Sequence, residues 1–284
     1  MHDQASELRY MASQIKPERE MRVIAVTSGK GGVGKTNFTV NLALALAQYG
    51  QRVVIMDGDM GLANVDIVFG LSPRYTIAHL LAGEKTIEQI LVTGPYGIGI
   101  IPGGAGIQGL ADLDRDRLSH VIVNLNRLEE VADLLLVDTG AGLGHTVINL
   151  LKAADDVIIM TTPEPTSLTD AYGLFKTLRL ETTEVLIHVV VNRVKNEAEA
   201  RATFERMEMV VRKFLNCPLN LLGWIYDDPL VGRSIIKQEP LGIGFPESAS
   251  YQCIQWIAGK IIGIQNNPPK QAGGIRNFLN RLLG

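Results

Sequence analysis

Val23-Ile24-Ala25-Val26-Thr27-Ser28-Gly29-Lys30-Gly31-Gly32-Val33-Gly34-Lys35-Thr36 decides the fold. An apolar, β-like run feeds a glycine-rich loop. The loop opens into Asn37-Phe38-Thr39-Val40-Asn41-Leu42-Ala43-Leu44-Ala45-Leu46-Ala47, which reads as a buried helix. Gly29, Gly34, Lys35 and Thr36 fit the phosphate-loop spacing G-x4-G-K-[ST]. Glycines let backbone N–H groups curl around phosphate oxygens without a Cβ in the way. The helix N-terminus adds positive potential at the same place. Residues Gly29, Lys30, Gly31, Gly32, Val33, Gly34, Lys35, Thr36 and Asn37 are therefore expected around a nucleotide's phosphates. Lys35 would reach the β- and γ-phosphates and the Thr36 hydroxyl would ligate Mg²⁺. A plain glycine-rich turn before a core helix would leave Lys35-Thr36 unexplained.

The rest of the chain suits such a motif. Its 284 residues are 46% hydrophobic and 20% charged, an ordinary globular composition. The length accommodates one α/β domain with small appendages. A net charge of −3 gives no bulk attraction for nucleic acid, so no direct nucleic-acid partner is expected. Cys217 and Cys253 are far apart in sequence and form no metal-ligand pattern, so buried free thiols are expected rather than a disulfide or zinc site. Residues 1–20 are polar and charged, unlike a signal peptide, and no apolar run reaches about 18 residues. A cytosolic location is the expectation.

After the loop helix, Gln51–Asp59 reads as a short buried strand ending in two carboxylates. Residues 60–75 read as a loop or short helix. Small helical stretches follow near Ile77–Leu81 and Ile87–Leu91, then a strand at Gly97–Ile101 and a flexible turn at 102–106. Arg115–Glu130 carries a helical period. Leu134–Gly140, with its terminal acid, Val157–Met160, Val185–Val191 and Leu221–Ile225 are further apolar strands. Short strands, apolar throughout and separated by helices, predict a mostly parallel, doubly wound sheet covered by helices on both faces. Ligands in such folds sit beyond the carboxyl ends of the strands. Asp57, Asp59 and Asp138 fall there with the phosphate loop, so one rim should collect them.

Each carboxylate has a chemical reading. Asp138 closes an apolar strand, the place of an acid that holds Mg²⁺, in part through water. Asp57 and Asp59 are two apart, which points both side chains to one face of an extended segment. One would serve the metal shell and the other orient an attacking water. Phosphoryl transfer depends mostly on such positioning and charge neutralisation. The glycines that follow Asp138, at 140, 142 and 144, suit a segment that senses the γ-phosphate.

Both ends carry amphipathic patterns. Ala5, Leu8, Ala12 and Ile15 form one helical stripe, with Asp3 able to cap it and Pro17 to end it. From periodicity alone it reads either as a helix docked on its own domain or as a peptide that folds on a partner. At the other end no Asp or Glu occurs from Ser248 to Gly284. Asn266–Pro269 and Gly273-Gly274 read as a linker. Ile275, Phe278, Leu279, Leu282 and Leu283 then make an apolar stripe with Arg276 and Arg281 on the polar side. That face would dock on the domain or lie in an anionic membrane interface.

Lys30 discriminates among phosphate loops. Lys30-Gly31-Gly32-Val33-Gly34-Lys35-Thr36 resembles the deviant Walker A motif of the MinD/ParA ATPases. The resemblance continues through Asp57–Asp66, similar to that family's first switch, and Asp138–Gly142, similar to its Walker B and second switch. It spans about residues 20–262. It implies that ATP, ADP and Mg²⁺ are the cofactors and that Lys30 crosses to the nucleotide of a partner subunit in an ATP-bound homodimer. It implies Lys30, Lys35 and Asp59 as catalytic residues, with Asp59 on the water, and Thr36, Asp57 and Asp138 around the metal. Asn192 would contact the adenine, and Asp228 would border it.

The chain ends resemble one branch of the family, the flagellar-number ATPases of the FlhG (YlxH or FleN) type. Asp3-Gln4-Ala5-Ser6-Glu7-Leu8-Arg9 matches its D-Q-A-x-x-L-R motif. In that branch the N-terminal helix binds the GTPase FlhF and stimulates it, which implies partner contacts at Asp3, Gln4, Ala5, Leu8 and Arg9. The terminal amphipathic helix targets the membrane, which implies reversible attachment to its inner face through Ile275, Phe278, Leu279, Leu282 and Leu283. Flagellar switch-complex proteins or a transcriptional activator are further implied partners. The expected organisation is thus 1–20 for a partner, 21–264 for ATP and 265–284 for the membrane. The alternatives are a DNA-partitioning ParA-like ATPase, a nucleotide-gated binding protein acting on a transcription factor, and an iron–sulfur carrier, for which the two cysteines are poorly placed.

Overall fold

A computed structural model describes residues 21–59, 65–104 and 115–264, with residues 115–118 by their backbone alone. The expected N-terminal helix, the middle of the first switch at 60–64 and the amphipathic tail lie outside the described residues.

One eight-stranded sheet organises the domain, in the order β3-β4-β2-β5-β1-β6-β7-β8. The strands are β1 Arg22–Ser28, β2 Val53–Gly58, β3 Val92–Thr93, β4 Gly99–Ile101, β5 Leu134–Ala141, β6 Asp156–Thr161, β7 Leu186–Val194 and β8 Asn220–Tyr226. All pairings are parallel except β3 with β4. β1 lies between β5 and β6, so the chain winds outward from it in both directions, and the phosphate loop leaves the sheet at that switch point. β3 is an unforeseen two-residue edge strand, too short to show an alternation.

Successive strand residues feed opposite cores. Val23, Ala25, Val54, Leu135, Val157 and Val189 share one core with the helices Arg115–Asn126, His145–Ala153, Pro165–Glu181 and Glu197–Leu215. Ile24, Val26, Ile55, Leu136, Ile158 and Val190 face the helices Lys35–Gln48 and Ala249–Ile261. Burial on both sides explains why the strands read as continuous apolar runs. The loop helix is buried nearly all round, and its polar Asn41 is satisfied inside: Oδ1 accepts from the Gly242 N–H at 2.8 Å, and Nδ2 donates to the Asn37 carbonyl at 2.7 Å.

Several boundaries differ from expectation. The helix expected over 115–130 divides into Arg115–Asn126 and Leu128–Val131, because Arg127 N–H bonds the Asn124 carbonyl in a tighter turn. The strand expected from Gly97 starts at Gly99, since Pro95–Gly97 makes a single turn with Tyr96 at φ 56°. β7 runs on to Val194 through a register shift, so Asn192 lies inside the strand rather than at its end. Cys217 and Cys253 are both free thiols; Cys253 is buried as expected, whereas Cys217 is only half-buried. Among the described residues no helix is long and apolar enough to cross a membrane.

Candidate functional site

The loop is held in shape by its surroundings. Ser28 Oγ donates to the Lys30 carbonyl at 2.7 Å, and the Gly142 N–H donates to the Ser28 carbonyl at 2.9 Å, tying the second switch to the base of the loop. Gly34 has φ 96°, a left-handed conformation that leads straight into the helix. Asn192 Nδ2 donates to the Val33 carbonyl at 2.8 Å, and a Cβ on Gly34 would come within 2.7 Å of that nitrogen. Gly29 has a different reason. Its Cβ would stand 2.2 Å from the Asp170 carbonyl carbon, so the loop abuts the backbone of the helix Pro165–Glu181. Sequence reasoning assigned Gly29 to phosphates alone and missed this packing.

Behind the loop lies a buried acidic pair. Asp57 and Asp138 stand opposite each other in the β2–β5 register, both almost wholly buried. Thr36 Oγ1 donates to Asp138 Oδ2 at 2.6 Å, and Thr39 Oγ1, one helical turn on, donates to Oδ1 at 3.1 Å. Thr39 was not anticipated; its spacing of three from Thr36 is the signal that finds it. Burial pushes the Asp138 pKa up to about 7. The Thr36 hydrogen bond opposes that rise, Asp57 adds to it and Lys35 opposes it. Two carboxylates and a hydroxyl, all hard oxygen donors, fit a small divalent cation, and the mutual repulsion of the acids is what a cation would relieve.

Asp57 also shapes the first switch. Its Oδ1 accepts the Asp59 N–H at 3.0 Å and its Oδ2 the Val65 N–H at 3.2 Å, bracketing residues 60–64. The Asp59 carboxylate lies beside Gly140, where a Cβ would stand 3.6 Å from Oδ1. The two switches therefore meet at Asp59.

A cavity of about 270 Å³ opens beside the loop, lined by Asn37, Phe38, Asn192, Tyr226, Asp228 and Ile254 among others. The structure thus brings together Asn192 and Asp228, the two residues expected near the base. Asp228 already has structural work: it caps the helix Pro229–Lys237 by accepting the Leu230 N–H at 2.9 Å. Burial alone would raise its pKa, but hydrogen bonds from Leu230, Ser248 and Ser250 hold it below the usual carboxylate range.

Lys30 stands apart from the buried groups. It is 42% exposed, and its Nζ donates to Glu164 Oε2 at 3.2 Å and Thr166 Oγ1 at 3.1 Å, both at the start of the helix Pro165–Glu181. Neither partner was singled out individually from sequence.

The comparisons agree with this geometry. The profile of a family described as an AAA domain matches residues 21–189. The chain is similar to the antiactivator FleN of Pseudomonas aeruginosa, 37% identical over 263 residues that cover 93% of this chain and 94% of FleN. It is similar to the flagellum site-determining protein YlxH of Helicobacter pylori, 34% identical, covering 100% and 99% of the two chains. Among solved structures, the septum site-determining protein MinD complexed with Mg-ADP from Pyrococcus horikoshii superposes with a TM-score of 0.67 at 27% identity, covering 87% and 100%.

Proposed function

We propose, from the premise that this chain belongs to the MinD/ParA family of ATPases, that it is a Mg²⁺-dependent ATP-hydrolysing switch controlling the number and placement of flagella. Similarity to FleN and YlxH over nearly the whole chain supports the flagellar assignment. The observation that carries the mechanism is the meeting, on one rim, of a loop already shaped for phosphates, an oxygen-donor site and an exposed lysine.

On this reading Lys35 binds the β- and γ-phosphates, and the loop N–H groups from Gly29 to Asn37 cradle them. Thr36, Asp57 and Asp138 hold Mg²⁺, partly through water. The metal neutralises phosphate charge. Asp59, between the switches, orients the attacking water. Asn37, Asn192 and Asp228 line the base pocket. Lys30 leaves Glu164 and reaches the nucleotide of a second copy, which makes hydrolysis depend on dimerisation.

Dimerisation has an output at the chain ends. Four or five apolar side chains in the stripe Ile275–Leu283, each contributing roughly 1.5–3 kcal/mol, must offset helix ordering and immobilisation. Two such stripes in a dimer act at high effective concentration. ATP then controls residence on the inner face of the cell membrane with no contact between nucleotide and lipid. Asp3, Gln4, Ala5, Leu8 and Arg9 contact the GTPase FlhF and stimulate it. A second reading, antagonism of a transcriptional activator in one nucleotide state, is favoured by the designation of FleN as an antiactivator.

The test is Asp59→Ala. The variant should bind ATP, fail to hydrolyse it and accumulate on anionic liposomes as a dimer; a soluble monomer at saturating ATP would overturn the mechanism. Gln4→Ala and Leu8→Ala should lose GTPase stimulation while keeping ATP turnover, and unchanged stimulation in both would remove the activator role.

A further inference from the structure

The end of the sheet opposite the nucleotide site has its own surface chemistry. There β1 begins, and Arg22 NH1 donates to the Ile261 carbonyl at 2.8 Å. The last helix Ala249–Ile261 therefore finishes beside the first strand, and the chain runs on to Ile264 from that point. Both undescribed terminal segments, 1–20 and 265–284, are continuous with this end of the domain.

Exposed apolar side chains gather around the exit. Tyr49, which immediately follows the helix Lys35–Gln48, is 44% exposed; its hydroxyl reaches the Gln255 carbonyl at 3.4 Å and lies over Gly259. Tyr96 is 61% exposed on the turn Pro95–Gly97, which packs against the helix Lys35–Gln48. Ile264 is 59% exposed where the described chain ends. Tyr96 is the informative member. It sits at φ 56°, ψ 21°, a left-handed conformation that Gly or Asn adopts far more easily than an aromatic. An aromatic held there with more than half of its surface exposed is the kind of backbone outlier that marks a functional surface.

We propose that this end of the ATPase domain is itself a lipid-facing surface, with Tyr49, Tyr96 and Ile264 entering the interface of an anionic bilayer. The inference rests on the membrane reading of the tail. The apolar stripe starts at Ile275, eleven positions after Ile264, and that stretch spans at most about 40 Å. A stripe lying in the bilayer thus keeps the exit end within that distance of the lipid. Tyrosine suits the interface because its ring is apolar and its hydroxyl remains hydrated. Three aspartates at this end are engaged, Asp156 by Arg22 and His188, Asp133 by Arg52, and Asp155 by the Val23 N–H, which limits repulsion from anionic headgroups.

The full-length protein with ATP is sedimented with phosphatidylethanolamine–phosphatidylglycerol vesicles. The triple variant Tyr49→Gln/Tyr96→Asn/Ile264→Ser keeps a residue suited to the left-handed turn. It should partition roughly tenfold less, since partition follows apolar area buried, with ATP turnover unchanged. A second measurement does not depend on that variant folding. Trp224 and Trp256 are the two tryptophans of the chain. With both changed to Phe, a reporter Tyr96→Trp should be quenched by brominated lipids, whereas Ile236→Trp, 84% exposed on the helix Pro229–Lys237 beside the nucleotide pocket, should not. Wild-type partitioning of the triple variant, or equal quenching of the two reporters, would overturn the proposal, as would a change in oligomer size without lipid. Phe278→Glu separates the premises: if it binds vesicles like the wild type, the tail reading fails; if it alone loses binding, only the present inference falls.

Discussion

Lys30 and Glu164 form an ion pair within one chain, Nζ to Oε2 at 3.2 Å. The same lysine is the residue that the family reading sends to a partner's nucleotide. On that reading, dimerisation breaks this contact. Glu164→Ala should lower the dissociation constant of the ATP-bound dimer, by no more than about fivefold, the scale of an exposed pair. Lys30→Ala should abolish dimer-dependent turnover. Sedimentation velocity with ATP in the Asp59→Ala background reads the first effect, and ATP turnover of the Lys30→Ala single variant as a function of protein concentration reads the second.

Asp138 sets a pH dependence for metal binding. Its pKa in the fold is about 7, against 3.8 as the ordinary value. As pH rises from about 4 to about 7, the unfolded chain has lost this proton while the fold retains it. Over that window Asp138 makes stability fall with rising pH. The cation needs the ionised form. Apparent Mg²⁺ affinity should rise about tenfold between pH 6 and pH 8. Calorimetric titration of Mg·ADP checks this, and Asp138→Asn should flatten the profile.

Asp156 behaves in the opposite sense. Burial would raise its pKa, but hydrogen bonds from His188 and Arg22 and the Arg22 charge outweigh burial and bring it down to about 2 from 3.8. Its stabilisation is present above the ordinary value and is lost as pH falls from about 4 to about 2. That fall corresponds to about 2 kcal/mol. Asp156→Asn should lose an amount of that order at neutral pH, measured by urea unfolding, and should show a shallower acid transition.

Gly29→Ala places a methyl against the Asp170 backbone. The helix cannot yield as a flexible side chain would. Destabilisation toward the upper part of about 1–3 kcal/mol is expected, together with weaker nucleotide binding.

Asn192→Ala removes the donor to the Val33 carbonyl without adding bulk. One hydrogen bond of about 0.5–1.5 kcal/mol should cost roughly threefold to tenfold in ADP affinity, read with a fluorescent nucleotide.

The winding of the sheet and the rim of carboxylates were legible because parallel strands buried on both faces leave continuous apolar runs, and because an acid at a strand end breaks such a run visibly. What pairs across the fold was not. Lys30 and Glu164 are 134 positions apart, and nothing local to either names the other. Gly29 looked like a phosphate residue since its neighbours are; the helix backbone against it comes from a distant segment. Asn192 showed its type but not its position inside β7, because the register shift that carries the strand to Val194 depends on β8. Thr39 was readable from helical spacing once Thr36 and Asp138 were paired.

The clamp from Asn192 to Val33 and the tie from Gly142 to Ser28 have a kinetic consequence. They hold the loop in its curved shape through contacts made within the chain. The ordering is done when the chain folds, so little remains to be done when a nucleotide arrives. Pre-ordering of this kind favours fast capture, and the rate of a nucleotide cycle is then left to the steps that follow it.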